Sequence, residues 1–144
     1  MSIVDVMARE RWATEEALIR GNVDALDEVF APDAWFHHSP NPSYQGLERF
    51  KHAFHWMRQG FQCTGIDWEE VICVDNTSVQ RYVFHLKHTG TLPDIPVPPT
   101  GKEVLAKGCS VYHLKDGKII EIIVHEDDLG FMQQLGVIPQ IGQQ

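Results

Sequence analysis

The first part of the chain carries apolar side chains at helical spacing. Over residues 4–20 they recur every three or four positions, and Gly21 stands where such a helix would end. Residues 22–30 predict a second helix, because Asn22 can cap it and acidic residues fill its first turn. Residues 46–60 predict a third helix, whose apolar residues form one stripe.

After Gly60 apolar and polar residues alternate, which is the pattern of β-strands. Four long strands are predicted over residues 66–74, 78–88, 103–114 and 118–127, and a shorter strand over residues 35–38. Asp75-Asn76 and Asp116-Gly117 lie between apolar runs and predict hairpin turns, so the strands they join are antiparallel. The proline-rich segment 91–102 predicts an unpaired crossover, and residues 129–135 predict a last helical turn.

Together these elements predict one α+β domain over residues 1–144, with a frayed end at residues 142–144. The helices are expected to cover one face of a curved, mainly antiparallel sheet and to enclose a pocket, as in a cone. Residues 109–113 and 119–124 are apolar on both faces of their strands, and such strands need cover on both sides. The simplest outer cover is a second copy of the chain, which predicts a homodimer through the sheet.

The net charge of −8 argues against polyanionic partners, since no run of Lys and Arg could attract nucleic acid or an anionic membrane. No stretch is long and apolar enough to span a membrane, and the start of the chain lacks a signal-peptide pattern. Cys63, Cys73 and Cys109 form an odd, scattered set, which favours reduced thiols in a cytoplasmic protein.

The chain lacks the common signatures of cofactor sites. It contains no glycine-rich phosphate loop, no Gly-x-Ser-x-Gly elbow and no Cys-x-x-Cys pair. His38, His88, His125 and Asp127 could form a histidine and carboxylate set, but no short ligand spacing joins them. We therefore predict no metal site.

Residue patterns in both halves resemble a known superfamily. The front half, with segment 22–30, Pro32-Asp33, His38 and segment 46–51, resembles the nuclear transport factor two-like superfamily. The back half is more specific and is similar to the SnoaL-like branch, which contains polyketide cyclases and ester cyclase-like proteins. The motifs that carry this similarity are His88-Thr89-Gly90, Pro98-Pro99-Thr100-Gly101-Lys102, Gly108, Asp116-Gly117-Lys118-Ile119, Glu121, Asp127-Asp128-Leu129-Gly130 and Gln134-Leu135-Gly136.

The resemblance implies a cone-shaped α+β barrel, usually dimeric, with a deep apolar cavity and neither metal nor organic cofactor. In the polyketide cyclases an aspartate near the end of the last strand is the general acid/base of an intramolecular aldol condensation, and the matching position is Asp127. The chain departs from the family pattern at Ile123, where members commonly carry Trp, and in Val124-His125-Glu126. The identity of the substrate therefore does not transfer from the family.

Asp127 is the main catalytic candidate. Strand alternation puts Ile123, His125 and Asp127 on one face and Glu126 on the other, where it is expected in solvent. If the first face lines the pocket, Ile123 is an apolar wall that raises the pKa of Asp127 and suits it to proton transfer near neutral pH. The alternative is that Asp127-Asp128 caps the helical turn that follows. The two roles can also be divided, with Asp128 as the cap and Asp127 as the acid/base.

His88 and His38 are the predicted partners of Asp127. His88 ends a strand that carries Tyr82 and Phe84 on the same face, and it could donate a hydrogen bond to a substrate carbonyl or enolate oxygen. His38 matches a family position and could act in the same way. The alternatives are an exposed strand-end histidine at His88 and a partly buried, backbone-bonded histidine at His38.

Further residues are expected to contact substrate on the pocket wall. They are His125, His113, Trp35, Phe84 and Ile123. Whether His113 and His125 share a face depends on a one-residue bulge in their hairpin.

Three functions fit these residues. The first is a cofactor-independent enzyme of SnoaL-like type, in which Asp127 performs general acid/base chemistry on a small hydrophobic carbonyl compound, as an aldol-type cyclisation, an isomerisation or a related lyase step. The second is an epoxide or ester hydrolase in which Asp127 activates water, and it needs a second polar group, for which Arg81 is the candidate. The third is a non-catalytic protein that binds a lipophilic metabolite.

Overall fold

The computed structural model describes residues 1–140, so the frayed end predicted for Gly142 to Gln144 lies outside the described residues. The α-helices are α1 (Ile3–Glu15), α2 (Leu47–Gly60) and α3 (Asp128–Gln134). α1 continues into a π-helical turn, Glu16–Arg20, which ends at Gly21 with a φ of 80°. A 3₁₀ helix, Val23–Glu28, follows. Within residues 1–140 no helix is both long and apolar enough to cross a membrane.

All six strands of the described chain belong to one sheet. Its strands are β1 (Phe30–His38), β2 (Tyr44–Gln45), β3 (Phe61–Val74), β4 (Thr77–His88), β5 (Glu103–Lys115) and β6 (Lys118–Glu126). The order across the sheet is β2-β1-β6-β5-β4-β3, with β1 parallel to β6 and the other pairs antiparallel. The mixed α+β architecture is confirmed, and the sheet is not closed into a full barrel, since β2 and β3 are its edges.

The segment after Gly21 differs from its prediction. The second helix, predicted over residues 22–30, is a 3₁₀ helix that stops at Glu28, because Phe30 already pairs with Ile119 in the sheet. β1 therefore begins at Phe30 rather than at residue 35. The register of its pairing with β6 shifts between Phe30 and Trp35, a stretch that contains a proline, which cannot donate a hydrogen bond to a neighbouring strand.

The helices pack on one face of the sheet, here called the inner face, through two clusters of buried apolar side chains. The first cluster joins α1, the 3₁₀ helix and α2 to β1, β5 and β6, with Met7, Leu26, Leu47, Phe36 and Ile122 among its members. The second joins the π-helical turn and α3 to β3, β4 and β5, with Leu18, Phe131, Phe61, Leu86 and Val104 among its members. A cavity is lined by side chains of both clusters.

Candidate active site

The cavity lies between the helices and the inner face of the sheet, and its volume is about 610 Å³. Small-molecule sites typically enclose about 300–1,000 Å³. Apolar and aromatic side chains form much of the wall, including Phe50, Phe54, Met57, Trp68, Phe84 and Phe131. Two clusters of polar side chains interrupt this apolar wall, and within each the side chains are hydrogen-bonded or closely spaced. We call them the entrance cluster (His38, Tyr82, Glu126 and Asp128) and the deep cluster (Glu10, Thr14, Gln80 and Tyr112).

The register of the sheet decides which residues of β6 face the cavity. Ile122, Val124 and Glu126 line it, whereas Ile123 and His125 lie on the outer face of the sheet. The predicted face is therefore corrected: Glu126, expected in solvent, reaches the cavity, and Ile123 and His125 point away from it. Ile122 and Ile123 place apolar side chains on both faces of this strand, so the alternating pattern alone does not identify the inner one.

Glu126 is the half-buried carboxylate of the entrance cluster, with 19% of its side chain exposed. The Tyr82 hydroxyl donates a hydrogen bond to it at 3.2 Å and lies 3.0 Å from the Ser110 hydroxyl. Burial raises the pKa of Glu126; His38 and the Tyr82 hydrogen bond oppose the rise, and Asp128 adds to it. A carboxyl group of this kind can exchange protons closer to neutral pH than an exposed one.

Tyr82 and Glu126 meet because the residue between them is a glycine. β4, β5 and β6 place Tyr82, Gly108 and Glu126 in one row across the sheet. A Cβ at Gly108 would lie 2.8 Å from the Tyr82 ring and 2.8 Å from the Glu126 Cγ, closer than real Cβ atoms approach their neighbours. The missing side chain thus opens the space in which the ring and the carboxylate touch.

His38 ends β1, beside Val124 of β6, and faces the entrance cluster. Its Nε2 lies 3.8 Å from Glu126 and 3.6 Å from Asp128, beyond hydrogen-bond distance. The Nε2 atom is buried and has no hydrogen-bond partner among residues 1–140. A buried polar atom without a partner is costly, so His38 is available to bond a ligand at this place.

Asp127 also borders the cavity, but its side chain is engaged elsewhere. The carboxylate accepts a hydrogen bond from the Gly130 N–H at 2.9 Å and so caps α3. Its side chain is exposed. Asp127 is thus the cap of α3, while Asp128 turns towards His38. This is the reverse of the roles expected for the two aspartates. The catalytic role of Asp127 stays a prediction.

The deep cluster surrounds a second carboxylate. Glu10, on α1, is 2% exposed and lines the cavity. It accepts hydrogen bonds from the Thr14 hydroxyl at 2.7 Å, from the Gln80 amide at 2.7 Å and from the Tyr112 hydroxyl at 3.3 Å. Burial raises the pKa of Glu10, and these three hydrogen bonds oppose the rise.

His88 lies on the inner face as expected but outside the cavity. It is 1% exposed, stacks on Phe61 with ring centroids 5.1 Å apart, and its Nδ1 lies 3.2 Å from both the backbone nitrogen and the hydroxyl of Thr100. The ring therefore fastens the proline-rich segment to the end of β4. The alternative of an exposed histidine is wrong, and the cavity wall ends before this residue is reached.

Trp35 and His113 lie on the outer face of the sheet rather than on the cavity wall. Trp35 is 44% exposed, because strand alternation turns its neighbour Phe36 into the core. His113 pairs with Glu121 across the β5–β6 hairpin. The register shift of that hairpin comes after His113, so His113 and His125 share the outer face. Of the predicted site residues, His38, Asp127 and Phe84 border the cavity.

Three side chains of the entrance cluster bring groups that can ligate a metal close together. One ligand atom each from His38, Glu126 and Asp128 lie within 4.8 Å of one another. Imidazole and carboxylate groups are ligands for several divalent metals. The histidine and carboxylate set considered in the sequence analysis is not brought together, since His88 and His125 lie outside the cavity. A chelator control is therefore part of any assay of this site.

Sequence reasoning missed Glu10 and Glu126, which are among the carboxylates that border the cavity. The signal for Glu10 lies in its spacing, because it shares a helical stripe with the buried Val6, Met7 and Ala13. An acid on an apolar stripe is either paired or functional. No comparable signal marks Glu126, since Ile122 and Ile123 place apolar side chains on both faces of the strand that leads to it.

The family model described as SnoaL-like polyketide cyclase matches residues 8–135. No protein among those with curated functions matches the chain. Solved structures share the fold. A protein from Jannaschia sp. CCS1, assigned as a SnoaL-like polyketide cyclase, is 21% identical, with a TM-score of 0.79 over 94% of this chain and 92% of its own.

Two further structures show the same fold. A protein from Acidithiobacillus ferrooxidans, assigned as a polyketide cyclase, is 23% identical, with a TM-score of 0.79 over 94% of this chain and 98% of its own. AclR from Streptomyces galilaeus, assigned as a hydroxylase, is 17% identical, with a TM-score of 0.78 over 99% of this chain and 87% of its own. At these identities the structures establish the fold, whereas the family match spans most of the sequence. The chain belongs to the SnoaL-like polyketide cyclase family.

Proposed function

We propose that the protein is a cofactor-independent enzyme that performs general acid/base chemistry, an aldol-type cyclisation or isomerisation, on a hydrophobic carbonyl compound held in the cavity. Glu126 is the acid/base, and His38 is the hydrogen-bond donor to the substrate oxygen. The observation that carries this proposal is the pairing, in one apolar cavity, of a half-buried carboxylate and a buried histidine nitrogen without a partner among residues 1–140.

The steps need no oxidant, reductant or second reactant. The Glu126 carboxylate takes a proton from the carbon next to the carbonyl, and the electron pair of that C–H bond moves into the carbonyl to give an enolate. His38, with a proton on Nε2, donates a hydrogen bond to the enolate oxygen and stabilises its charge. In a cyclisation the enolate carbon attacks a second carbonyl of the same molecule, and Glu126 returns its proton to the alkoxide. In an isomerisation the proton returns to another carbon.

Two carboxylates compete for the role of base. Asp127 matches the family position, but its hydrogen bond to Gly130 and its exposure leave it close to the environment of an ordinary helix cap. Glu126 has the buried environment and the Tyr82 hydrogen bond that suit proton transfer from carbon. We therefore assign the base to Glu126 and keep Asp127 as the alternative to be tested.

Solvent deuterium exchange tests the proposal directly. Hydrophobic β-keto esters and diketones are incubated with the protein in D₂O, with and without chelator, and exchange at the carbon next to the carbonyl is followed by NMR. We expect Glu126→Gln to slow enzyme-catalysed exchange by roughly 10²–10⁴-fold, the usual contribution of a general acid/base. Glu121→Gln, on the outer face of the same strand, is the matched control and should leave the rate unchanged.

Each contrary result has a distinct meaning. A large loss in Asp127→Asn with none in Glu126→Gln assigns the base to Asp127. Exchange that disappears with chelator points to a cation bound by His38, Glu126 and Asp128. Binding without any exchange above buffer supports the non-catalytic metabolite-binding protein.

Two broader expectations complete the proposal. The protein forms a homodimer through the outer face of the sheet, where Ile72 is 48% and Val74 62% exposed. It works in the cytoplasm, since Cys63, Cys73 and Cys109 are all free thiols.

A further inference from the structure

The deep cluster contains a buried carboxylate that the proposed chemistry does not use. Arg11, a residue outside the cluster, orients the Gln80 side chain, because its Nη1 donates a hydrogen bond to the Gln80 Oε1 at 2.9 Å. Arginine only donates, so this contact holds the Gln80 oxygen towards Arg11 and directs its NH₂ group towards Glu10 Oε2 and the Tyr112 hydroxyl. The Gln80 donor is thereby held towards Glu10 before any ligand arrives.

The hydrogen-bonding capacity of Glu10 is not exhausted by these donors. Its Oε1 accepts from Thr14 and Tyr112, and its Oε2 accepts from Gln80 alone. An ionised carboxylate offers about four acceptor positions. One acceptor position on Oε2 therefore remains among the described contacts, on a residue that lines the cavity.

The deep cluster lies further along the strands than the entrance cluster. Tyr82, Gly108 and Glu126 form one row across the sheet, and Tyr112 pairs with Ser78 and Ile122 two rows away. Successive rows on one face are about 7 Å apart along a strand, since each residue rises about 3.3 Å. Glu10 contacts Gln80 in the intermediate row and Tyr112 in the last, which puts it roughly 7–13 Å from Glu126.

We propose that Glu10 binds a hydroxyl group at the far end of the substrate, so that the substrate class is a hydrophobic carbonyl compound with a hydroxyl remote from the reacting carbonyl. Glu10 is then a positioning residue that holds the molecule with its carbonyl end at Glu126 and His38. This inference rests on the proposed function for the orientation of the substrate, but not for its binding.

The chemistry of the deep cluster selects a donor. Thr14, Gln80 and Tyr112 all direct hydrogens at the carboxylate, and these hydrogen bonds favour its ionised form against the burial that raises its pKa. An ionised carboxylate accepts hydrogen bonds and repels other anions, so a second carboxylate or a carbonyl oxygen has no partner there. An aromatic wall around the two clusters suits a ring system between the two oxygen groups.

Calorimetric binding of a matched ligand pair tests the inference without using turnover. The pair is a hydroxynaphthyl methyl ketone, with its hydroxyl and acetyl groups at opposite ends of the ring system, and its methyl ether. Wild-type protein should bind the hydroxyl compound about tenfold or more tightly than the ether, the usual effect of a hydrogen bond to a charged group. Glu10→Gln should lose most of this preference, and Tyr112→Phe, which keeps the carboxylate, should retain it.

The outcomes separate this inference from the proposed function. Equal binding of the two compounds by wild-type protein overturns the inference, whether or not any variant folds. A preference that survives in folded Glu10→Gln but disappears in Tyr112→Phe also overturns it, in favour of Tyr112 as the partner. A hydroxyl preference that depends on Glu10 supports it even where deuterium exchange is absent, which would remove the catalytic proposal alone.

Discussion

Tyr82 and Glu126 meet above Gly108, at a point of the sheet where any other residue would place a Cβ against both side chains. Glycine inside a strand weakens the strand because it packs no side chain. Here it also belongs to the motifs by which the sequence resembles its family. The residue thus connects a sequence signal to a specific contact, since it makes room for the Tyr82 hydrogen bond to the carboxylate.

Gly108→Ala should therefore separate Tyr82 from Glu126 and lower the rate of deuterium exchange by roughly 10²-fold, because a displacement of about 1 Å at a catalytic group has an effect of this size. Exchange rates and melting curves of the variant measure the effect. Gly65→Ala is the control, since a Cβ at Gly65 meets nothing within 4 Å. A Gly108→Ala protein with the wild-type rate would show that the contact has no part in catalysis.

The raised pKa of Glu126 also predicts how stability depends on pH. Burial makes the folded chain hold this proton to a higher pH than the unfolded chain does. The free energy of unfolding therefore falls as pH rises from the ordinary glutamate pKa through the raised one. Glu126→Gln has no such proton to lose.

We therefore compare the melting temperature of Glu126→Gln with that of wild type at each pH. The variant's melting temperature minus the wild-type value should be larger at pH 8 than at pH 4. His38 and Asp128, which face the same carboxyl group, are present in both proteins, so the difference between them follows Glu126. Glu121→Gln should show no comparable change with pH. A difference that is the same at both pH values would contradict a buried, proton-exchanging Glu126.

At the scale of elements, the sequence predicted more of the sheet than of the site. The turns at Asp75-Asn76 and Asp116-Gly117 carry residues that suit a hairpin, and both aspartates adopt a φ of 52° in the structure. The helix after Glu126 was also predictable, since an aspartate that can cap a helix stands before it. The facing of β6 was not, because Ile122 and Ile123 are equally apolar and only packing beneath the helices separates them.

α3 depends on Asp127 as its cap, which predicts a difference between two substitutions. Asp127→Ala should lower the free energy of unfolding by about 1 kcal/mol, the usual effect of removing an N-cap. Asp127→Asn should lower it by much less, because an asparagine oxygen can accept the same Gly130 hydrogen bond. Urea unfolding of both variants measures this, and equal losses would contradict a capping role.

The whole molecule presents a mixed outer face that the cavity does not explain. Ile72, Val79, Val111 and Ile123 form an apolar row across β3, β4, β5 and β6. Histidines predicted for the cavity, His113 and His125, lie on this same face. A sequence pattern records that a residue is apolar or titratable, but it does not distinguish a cavity wall from a surface that a second molecule covers.

The apolar row predicts that the protein associates through this face. A stable dimer usually buries about 800 Å² from each partner, with an apolar centre. Val111→Arg places a charge in the middle of the row, between Val79 and Ile123, and should convert the dimer into a monomer when size-exclusion chromatography is combined with light scattering. Gln62→Arg is the control, because Gln62 is exposed on β3 near the other end of the sheet and adds the same charge outside the row. Wild-type protein that stays monomeric up to high micromolar concentration would leave the row uncovered and contradict the homodimer.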